Sequence, residues 1–141
     1  MRQKHDLLPI IGITMGDPVG IGPEVIIKAL CDTSVMSRCR PVLIGDRSIL
    51  EREIKRLQAP LKIRTVTSLL ETAAKSGDIM LLEESQLDPH AVRYGQPTTE
   101  TGKALAAYII KAVTMAAADE IDAVVTAPIN KKSLHDAGYD Y

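Results

Sequence analysis

The segment from Ile11 to Val25 constrains the fold more than any other part of this sequence. It reads I-G-I-T-M, then a turn rich in glycine, then P-E-V. The apolar start predicts a buried strand, and a proline just after glycine favours the first turn of a helix, where its missing N–H costs nothing. A strand, a tight turn and a helix start in such close succession indicate the ligand-binding end of an α/β layer.

The glycines of this turn permit positive φ angles and a close approach of the backbone, so a ligand could contact bare main chain here. Two familiar phosphate loops do not match. The G-x-G-x-x-G fingerprint requires glycine where Val25 stands, and no Gly-Lys-Ser/Thr of a P-loop follows. Because Asp17 and Glu24 would repel a phosphate at the helix start, the loop is expected to bind a hydroxyl, an amine or a cation.

The rest of the chain alternates between strand and helix patterns, which predicts an α/β fold with three αβα layers and a mainly parallel sheet. A helical turn is predicted near Ser68–Ala74, between the third and fourth strands, and the region Glu83–Pro97 is predicted to be irregular. The predicted strands are Ile10–Met15, Pro41–Ile44, Leu61–Val66, Ile79–Leu82 and Ala123–Thr126, and the predicted helices are Pro23–Cys31, Ser48–Leu57, Thr98–Ile121 and Lys131–Ala137.

The helix predicted at Thr98–Ile121 carries the clearest periodic pattern. Apolar residues recur on it at three- and four-residue spacing, and lysines lie off that stripe. The stripe is expected to pack against the sheet. It consists of Leu105, Ile109, Ala112, Val113 and Ala116.

Polar residues that follow the predicted strands are the candidate site residues, because open parallel sheets bind ligands at the strand ends. Lys131, at a strand-to-helix junction, is the catalytic candidate: it could approach a carboxylate or assist proton transfer, or it could be an ordinary surface lysine. Asn130 could bind the same ligand or cap the following helix. Gly16, Gly20 and Asp17 are the candidates after the first strand, and Asp17 could equally hold an Asx turn.

Two further acids have stronger structural interpretations. Asp46 follows the second predicted strand, where a dinucleotide fold places its ribose-binding acid, but it also stands in a helix N-cap position. Glu24 lies in the first turn of a helix, where the helix dipole alone explains a carboxylate. We therefore expect Asp46 to be a cap and Glu24 to be structural.

Composition excludes several classes of partner. The formal net charge is −1, so no basic excess indicates nucleic acid, and no apolar stretch reaches membrane-spanning length. The histidines His5, His90 and His135 lack the spacing of metal ligands, so no metal site is predicted within the chain. A cytoplasmic protein is expected.

Two longer motifs, far apart in the chain, are more specific. The first is Gly16–Glu24, G-D-P-V-G-I-G-P-E; the second is Val124–Lys132, V-V-T-A-P-I-N-K-K, followed by Leu134–Tyr139. Their letters and order resemble the 4-hydroxythreonine-4-phosphate dehydrogenase family, over less than half of a typical member. In that family a P-G-H-T-E type segment with a substrate-binding His and Thr follows, and three metal-binding histidines come later. The sequence contains none of those positions.

The resemblance implies the N-terminal part of a longer, two-lobed, homodimeric enzyme with the fold of isocitrate and isopropylmalate dehydrogenases. It implies NAD-dependent oxidation, with decarboxylation, of the phosphorylated hydroxy acid 4-phosphooxy-threonine in vitamin B6 biosynthesis. A divalent metal (Zn, Mg or Co) would be needed, with its ligands outside this chain. The resemblance also favours Lys131 over Lys132 as the catalytic lysine.

Three alternatives stay open. Related enzymes resemble this family closely but act on D-threonate or D-erythronate 4-phosphate, and the two motifs do not separate these substrates. Phosphate acyltransferases resemble the fold too, and they need neither NAD nor the metal site. A truncated, inactive fragment is the third alternative, since the chain alone is expected not to catalyse hydride transfer.

Overall fold

The strands of this protein form one sheet in which every neighbouring pair is parallel. The computed structural model describes residues 8–69 and 78–140. Its strands are β1 (Ile10–Thr14), β2 (Arg40–Asp46), β3 (Lys62–Thr65), β4 (Asp78–Ser85) and β5 (Ala123–Thr126). Within the described residues their order across the sheet is β3-β4-β2-β1-β5. Because all strands run the same way, their carboxyl ends lie at one edge.

Helices cover both faces of this sheet. They are α1 (Gly22–Leu30), α2 (Thr33–Met36), α3 (Arg47–Leu57), α4 (Thr99–Ala117) and α5 (Lys131–Asp136). Helix α1 packs against α3, whereas α4 contacts β1, β2, β4, β5 and α5. Ile11 and Ile13 of β1 face α1, while a Cβ at Gly12 between them would meet Ile121, which follows α4. The predicted three-layer αβα arrangement is confirmed.

The strand β4 is longer than the sequence pattern predicts, so the prediction of an irregular Glu83–Pro97 region is wrong for its first three residues. The ladder with β2 continues past the apolar run, pairing Gly45 with Glu83 and then Asp46 with Ser85 across a local irregularity. Polar side chains are tolerated here because this end of β4 is only half-buried. The short helix α2, which Asp32 caps, was not predicted at all.

Helix α4 ends earlier than predicted, and its buried stripe is differently phased. Ala118 is its C-cap and Asp119 adopts a left-handed φ of 55°, which stops the helix before Ile121. Val113 was expected to face the sheet but is 58% exposed. Small residues bring α4 close to the sheet and to α5, so the buried face follows these instead. That face is made of Thr101, Gly102, Ala104, Leu105, Ala106, Tyr108, Ala112 and Met115.

An apolar groove of about 440 Å³ lies beside β5 on the α1 face of the sheet. Ile11 and Ile13 form its floor, Val25 of α1 forms one wall, and Val125 and Pro128 lie on the other side.

In the ranges that the structure describes, no helix has the length and apolar character needed to span a bilayer. His5 and most of the helical turn predicted at Ser68–Ala74 lie outside the described residues.

Candidate functional site

The loops that follow β1 and β5 meet at the carboxyl edge of the sheet. The backbone N–H of Asp17 donates to the carbonyl oxygen of Pro128 at 3.1 Å. Gly16 has a φ of +74°, and a Cβ there would lie 2.6 Å from the same oxygen. Only glycine permits this approach, and the two motif loops therefore pack as one unit.

Gly22 makes a second close contact of the same kind, since a Cβ on it would clash with the carbonyl oxygen of Met15. The free faces of Gly16 and Gly22 are thus turned toward protein backbone. Gly20 differs from both, because it lines the surface depression described next. Ligand binding at Gly16 and Gly20 stays a prediction.

A shallow depression of about 500 Å³ lies where these loops meet. It brings together four of the five predicted site residues: Asp17, Gly20, Asn130 and Lys131. Gly16 does not line it but supports it from below through Pro128. The other lining residues are Ile21, Pro128, Ile129 and Lys132. Prediction from the strand ends therefore found a real spatial cluster.

Asp17 is almost buried at the floor of this depression, with 5% exposure. Its Oδ1 accepts a hydrogen bond from the backbone N–H of Val19 at 3.0 Å, and its carbonyl oxygen accepts from the N–H of Gly20 at 3.0 Å. The first bond forms the predicted Asx turn, and the second closes a main-chain turn from Asp17 to Gly20. The other carboxylate oxygen, Oδ2, has no hydrogen-bond partner among the described residues and could accept one from a ligand hydroxyl or ammonium.

Asn130 and Lys131 stand at the start of α5. The Oδ1 of Asn130 accepts from the N–H of Ser133 at 3.1 Å, so the predicted cap is confirmed, while its amide NH2 has no partner in the described ranges. Lys131 is exposed and makes no ion pair or hydrogen bond within them. Lys132 beside it is paired with Asp136. Of the two lysines, Lys131 has the ammonium group that is available to an anion.

Asp46 lies at the same sheet edge but does not reach the depression. Its side chain has no exposed surface and accepts from the N–H of Ile49 at 3.2 Å, which caps α3. The carboxylate also accepts from Ser85 Oγ at 2.8 Å and from the N–H of Leu87 at 2.7 Å. A carboxylate so enclosed cannot bind a ribose, and the N-cap interpretation is confirmed.

Glu24 also has a structural position. It pairs with Lys28 on its own helix and with Arg56 of α3, each at 2.6 Å. These two hydrogen bonds, with Lys28 the larger cause, hold the pKa of the Glu24 carboxyl below its usual value. The pair with Arg56 fastens α1 to α3.

The sequence predicts that residues 86–97 are irregular, which is correct, but it does not reveal that this segment folds over this edge of the sheet. The N–H of Gly95 donates to the carbonyl oxygen of Val19 in the glycine turn at 2.8 Å. Arg52 of α3 holds the same segment by donating to the carbonyl oxygens of Pro89 and Val92. The only local signal was an unassigned polar stretch, since the partners are far away in sequence.

Metal ligands are not grouped in this part of the protein. In residues 8–69 and 78–140, no three His, Cys, Asp or Glu side chains stand close enough to hold an ion. His135 contacts Asp140 at 3.0 Å on the surface. A third cavity, of about 480 Å³, opens at the opposite edge near Cys31 and Asp78, away from the strand ends that carry the candidate residues.

Comparisons with known proteins identify close relatives. Residues 37–141 match the model of the family described as pyridoxal phosphate biosynthetic protein PdxA. A D-threonate 4-phosphate dehydrogenase from Cupriavidus necator is 42% identical over 136 residues, which is 96% of this chain and 40% of that protein. A 4-hydroxythreonine-4-phosphate dehydrogenase from Trichlorobacter lovleyi is 40% identical over 134 residues, 94% of this chain and 40% of its own length.

A solved structure gives the same result. The crystal structure of a 4-hydroxythreonine-4-phosphate dehydrogenase from Burkholderia phymatum superimposes with a TM-score of 0.90 at 39% identity. The match covers 96% of this chain and 41% of that one. The chain therefore spans about 40% of the length of the relatives it matches.

Proposed function

We propose a function from one premise: this chain belongs to the family described as pyridoxal phosphate biosynthetic protein PdxA. In this proposal, residues 1–141 are the N-terminal α/β part of a longer two-lobed dehydrogenase. The enzyme oxidises and decarboxylates 4-phosphooxy-threonine with NAD and a divalent metal, in pyridoxal phosphate biosynthesis, as a cytoplasmic homodimer. The observation that carries it is the clustering of Asp17, Gly20, Asn130 and Lys131 in one depression.

The role proposed for this chain is to hold the substrate. The ammonium of Lys131 would bind an anionic group, either a carboxylate or a phosphate, and the free amide NH2 of Asn130 would donate to the same group. The Oδ2 of Asp17 would accept from a hydroxyl or ammonium of the substrate. The exposed ammonium of Lys131 and the nearly buried carboxylate of Asp17 would then orient a small molecule that carries both an anionic group and a hydroxyl or ammonium group.

The cofactors are not assigned to residues of this chain. The described ranges lack a cluster suitable for a divalent metal, so its ligands would come from elsewhere in the longer enzyme. The glycine turn lacks the third glycine of a dinucleotide fingerprint, and Glu24 occupies the first turn of α1. The substrate contacts proposed for Asp17, Asn130 and Lys131 do not depend on the metal or on NAD.

A second substrate has specific support. The relative from Cupriavidus necator is named for D-threonate 4-phosphate, and its 42% identity is similar to the 40% of the relative named for 4-hydroxythreonine-4-phosphate. The substrates differ in bearing a hydroxyl or an amino group at the second carbon. Asp17 could accept a hydrogen bond from either group.

The test is an assay of a fusion in which this chain replaces the matching N-terminal part of the Trichlorobacter lovleyi relative. Reduced nicotinamide absorbance is followed with each of the two phosphates. We expect one of them to be oxidised, and we expect the 141-residue chain alone to be inactive. A fusion that is folded but inactive on both phosphates would contradict the proposal.

Lys131 can be tested in the same fusion. Lys131→Ala is expected to lower kcat/KM about 10- to 100-fold, the effect of losing one charged hydrogen bond to substrate. Lys132→Ala is the matched control, because Lys132 is already paired with Asp136, and it should change kcat/KM by less than about twofold. Equal effects of the two substitutions would show that Lys131 is an ordinary surface lysine.

A further inference from the structure

Asp46 receives four hydrogen bonds although it touches no ligand and lies outside the depression. Two come from the start of α3, from Ser48 Oγ at 2.6 Å and the N–H of Ile49 at 3.2 Å. The other two come from the end of β4 and beyond, from Ser85 Oγ at 2.8 Å and the N–H of Leu87 at 2.7 Å. Capping α3 needs only one of these bonds, so the carboxylate also fixes where the segment 86–97 begins.

The segment 86–97 is then held along its length by α3. Ser48 Oγ also lies 2.8 Å from the carbonyl oxygen of Leu87, so its single proton is shared between this oxygen and the carboxylate of Asp46. The guanidinium of Arg52 donates to the carbonyl oxygens of Pro89 at 3.0 Å and Val92 at 2.9 Å, and it lies 4.9 Å from the ring centroid of Tyr94. The path of the segment thus depends on Ser48 and Arg52 of α3 and on Asp46, the buried acid just before that helix.

The far end of this segment reaches the glycine turn of the candidate site. The N–H of Gly95 donates to the carbonyl oxygen of Val19 at 2.8 Å, and the N–H of Val19 donates to Asp17 Oδ1 at 3.0 Å. Val19 is also 97% buried beneath the loop, with Leu87 and Val92 in the same hydrophobic cluster. One residue of the turn therefore connects the segment to the site acid.

We propose that Asp46 is a positioning residue that sets the conformation of the glycine turn through the segment 86–97. The order of contacts is Asp46 to Leu87, then Gly95 to Val19, and Val19 to Asp17. Asp46 acts at a distance from the depression, because its carboxylate is wholly enclosed. Its importance for substrate binding rests on the proposed function, whereas the coupling itself does not.

The test is amide hydrogen exchange, followed by NMR, on the 141-residue chain and its Asp46→Asn variant. Asparagine keeps the shape but replaces one acceptor oxygen by an NH2, which must face the N–H of Leu87 or of Ile49. We expect exchange at Gly95 and Val19 to rise at least about tenfold more than at Leu43 in the central strand, since a buried donor is left unpaired. A merely structural cap would raise exchange at all three equally.

The matched control is Asp32→Asn, the same substitution at the exposed cap of α2, where Asp32 accepts from Ser34. It should leave Gly95 and Val19 unchanged. If Asp46→Asn fails to fold, Ser48→Ala removes the hydroxyl that lies between Asp46 and Leu87 and keeps the carboxylate, and it should give a smaller rise at the same two amides.

The proposal is overturned if Gly95 and Val19 exchange no faster than in the unaltered chain, or only in proportion to Leu43, in the folded variants. It is also overturned if the Gly95 amide is unprotected in the unaltered chain. Altered exchange together with a fusion enzyme that is inactive on both phosphates would refute the proposed function and leave the coupling intact.

Discussion

One row of side chains crosses the sheet and passes from a closed half of the molecule to an open half. Leu81 of β4, Leu43 of β2, Ile13 of β1 and Val125 of β5 are neighbours in register. Leu81 and Leu43 are buried, Ile13 is half-buried and Val125 is 50% exposed. The four strands are alike in direction and in apolar character. They differ only in the strands beside them and in the helices and loops that cover them.

The closed half is covered by α3 and by the segment 86–97, which Asp46 holds in place. The open half has the apolar groove above β1 and β5, and the outer edge of β5 has no neighbour in the part of the sheet that the structure describes. The candidate site lies at the carboxyl end of the open half, where the loops after β1 and β5 meet. The comparison teaches that the burial of a side chain in this sheet is decided by the neighbouring helices and loops rather than by the amino-acid sequence of its own strand.

The sharpest test of the comparison is a pair of truncations in that row. Leu43→Ala should lower the free energy of unfolding by about 2–5 kcal/mol, because it opens a cavity in a packed region. Val125→Ala should lower it by less than about 1 kcal/mol, since the side chain is half in water already. Urea unfolding of both variants measures this. Equal losses would mean that β5 is as well packed as β2.

A charge on the edge strand gives a smaller effect. Val125→Lys should reduce self-association of the purified 141-residue chain, because charged residues block pairing at exposed strand edges. Light scattering across a concentration series measures it. The control is Val113→Lys on α4, which removes an apolar side chain of similar exposure but leaves the strand edge unchanged. If both variants behave alike, exposed apolar surface and not the edge drives association.

The smallest expected effect concerns the attachment of α1 to the closed half. The pKa of Glu24 is lowered in the folded chain, first by Lys28 and then by Arg56. Its stabilisation is therefore present at neutral pH and is lost as the pH falls through the folded-state pKa, below the ordinary value of 4.5. Glu24→Gln should lower the urea midpoint slightly at about pH 7 and by less at about pH 3.

The control for this substitution is Glu100→Gln, in the first turn of α4, which removes a carboxylate from a helix start without breaking a pair to a second helix. A difference between Glu24→Gln and the unaltered chain that persists unchanged at low pH would show that the ion pairs with Lys28 and Arg56 are not its source.

Local signals in the sequence predicted the fold well where structure is local. Asn130 caps α5 and Asp46 caps α3, and each was recognised from its position before a helical pattern. The cluster of site residues was also predictable, because it follows from parallel strands ending at one edge. Substrate binding by Lys131 and Asp17 could not be predicted in the same way, since it depends on a substrate and on parts of the enzyme that the local sequence pattern does not describe.

Other features depend on partners that are distant in sequence. The end of β4 and the segment 86–97 are fixed by bonds to Asp46 from 39 and 41 residues away, and no pattern near Ser85 or Leu87 reveals them. The phase of α4 was mispredicted at Val113 because small residues, which contribute little to an apolar stripe, make the close contacts. These misses share one cause, which is tertiary packing overriding local pattern.

The contact between the loops after β1 and β5 has a consequence for how the chain folds. In β1, the N–H of Ile10 also donates a hydrogen bond to Oδ2 of Asp122, which is 112 residues away in the sequence. Contacts of such long range form late, because the intervening chain must be ordered first. During synthesis β1 therefore leaves the ribosome long before its neighbour β5 exists. Asp17 can meet Lys131 only when nearly the whole segment has been translated, so the depression is among the last features to assemble.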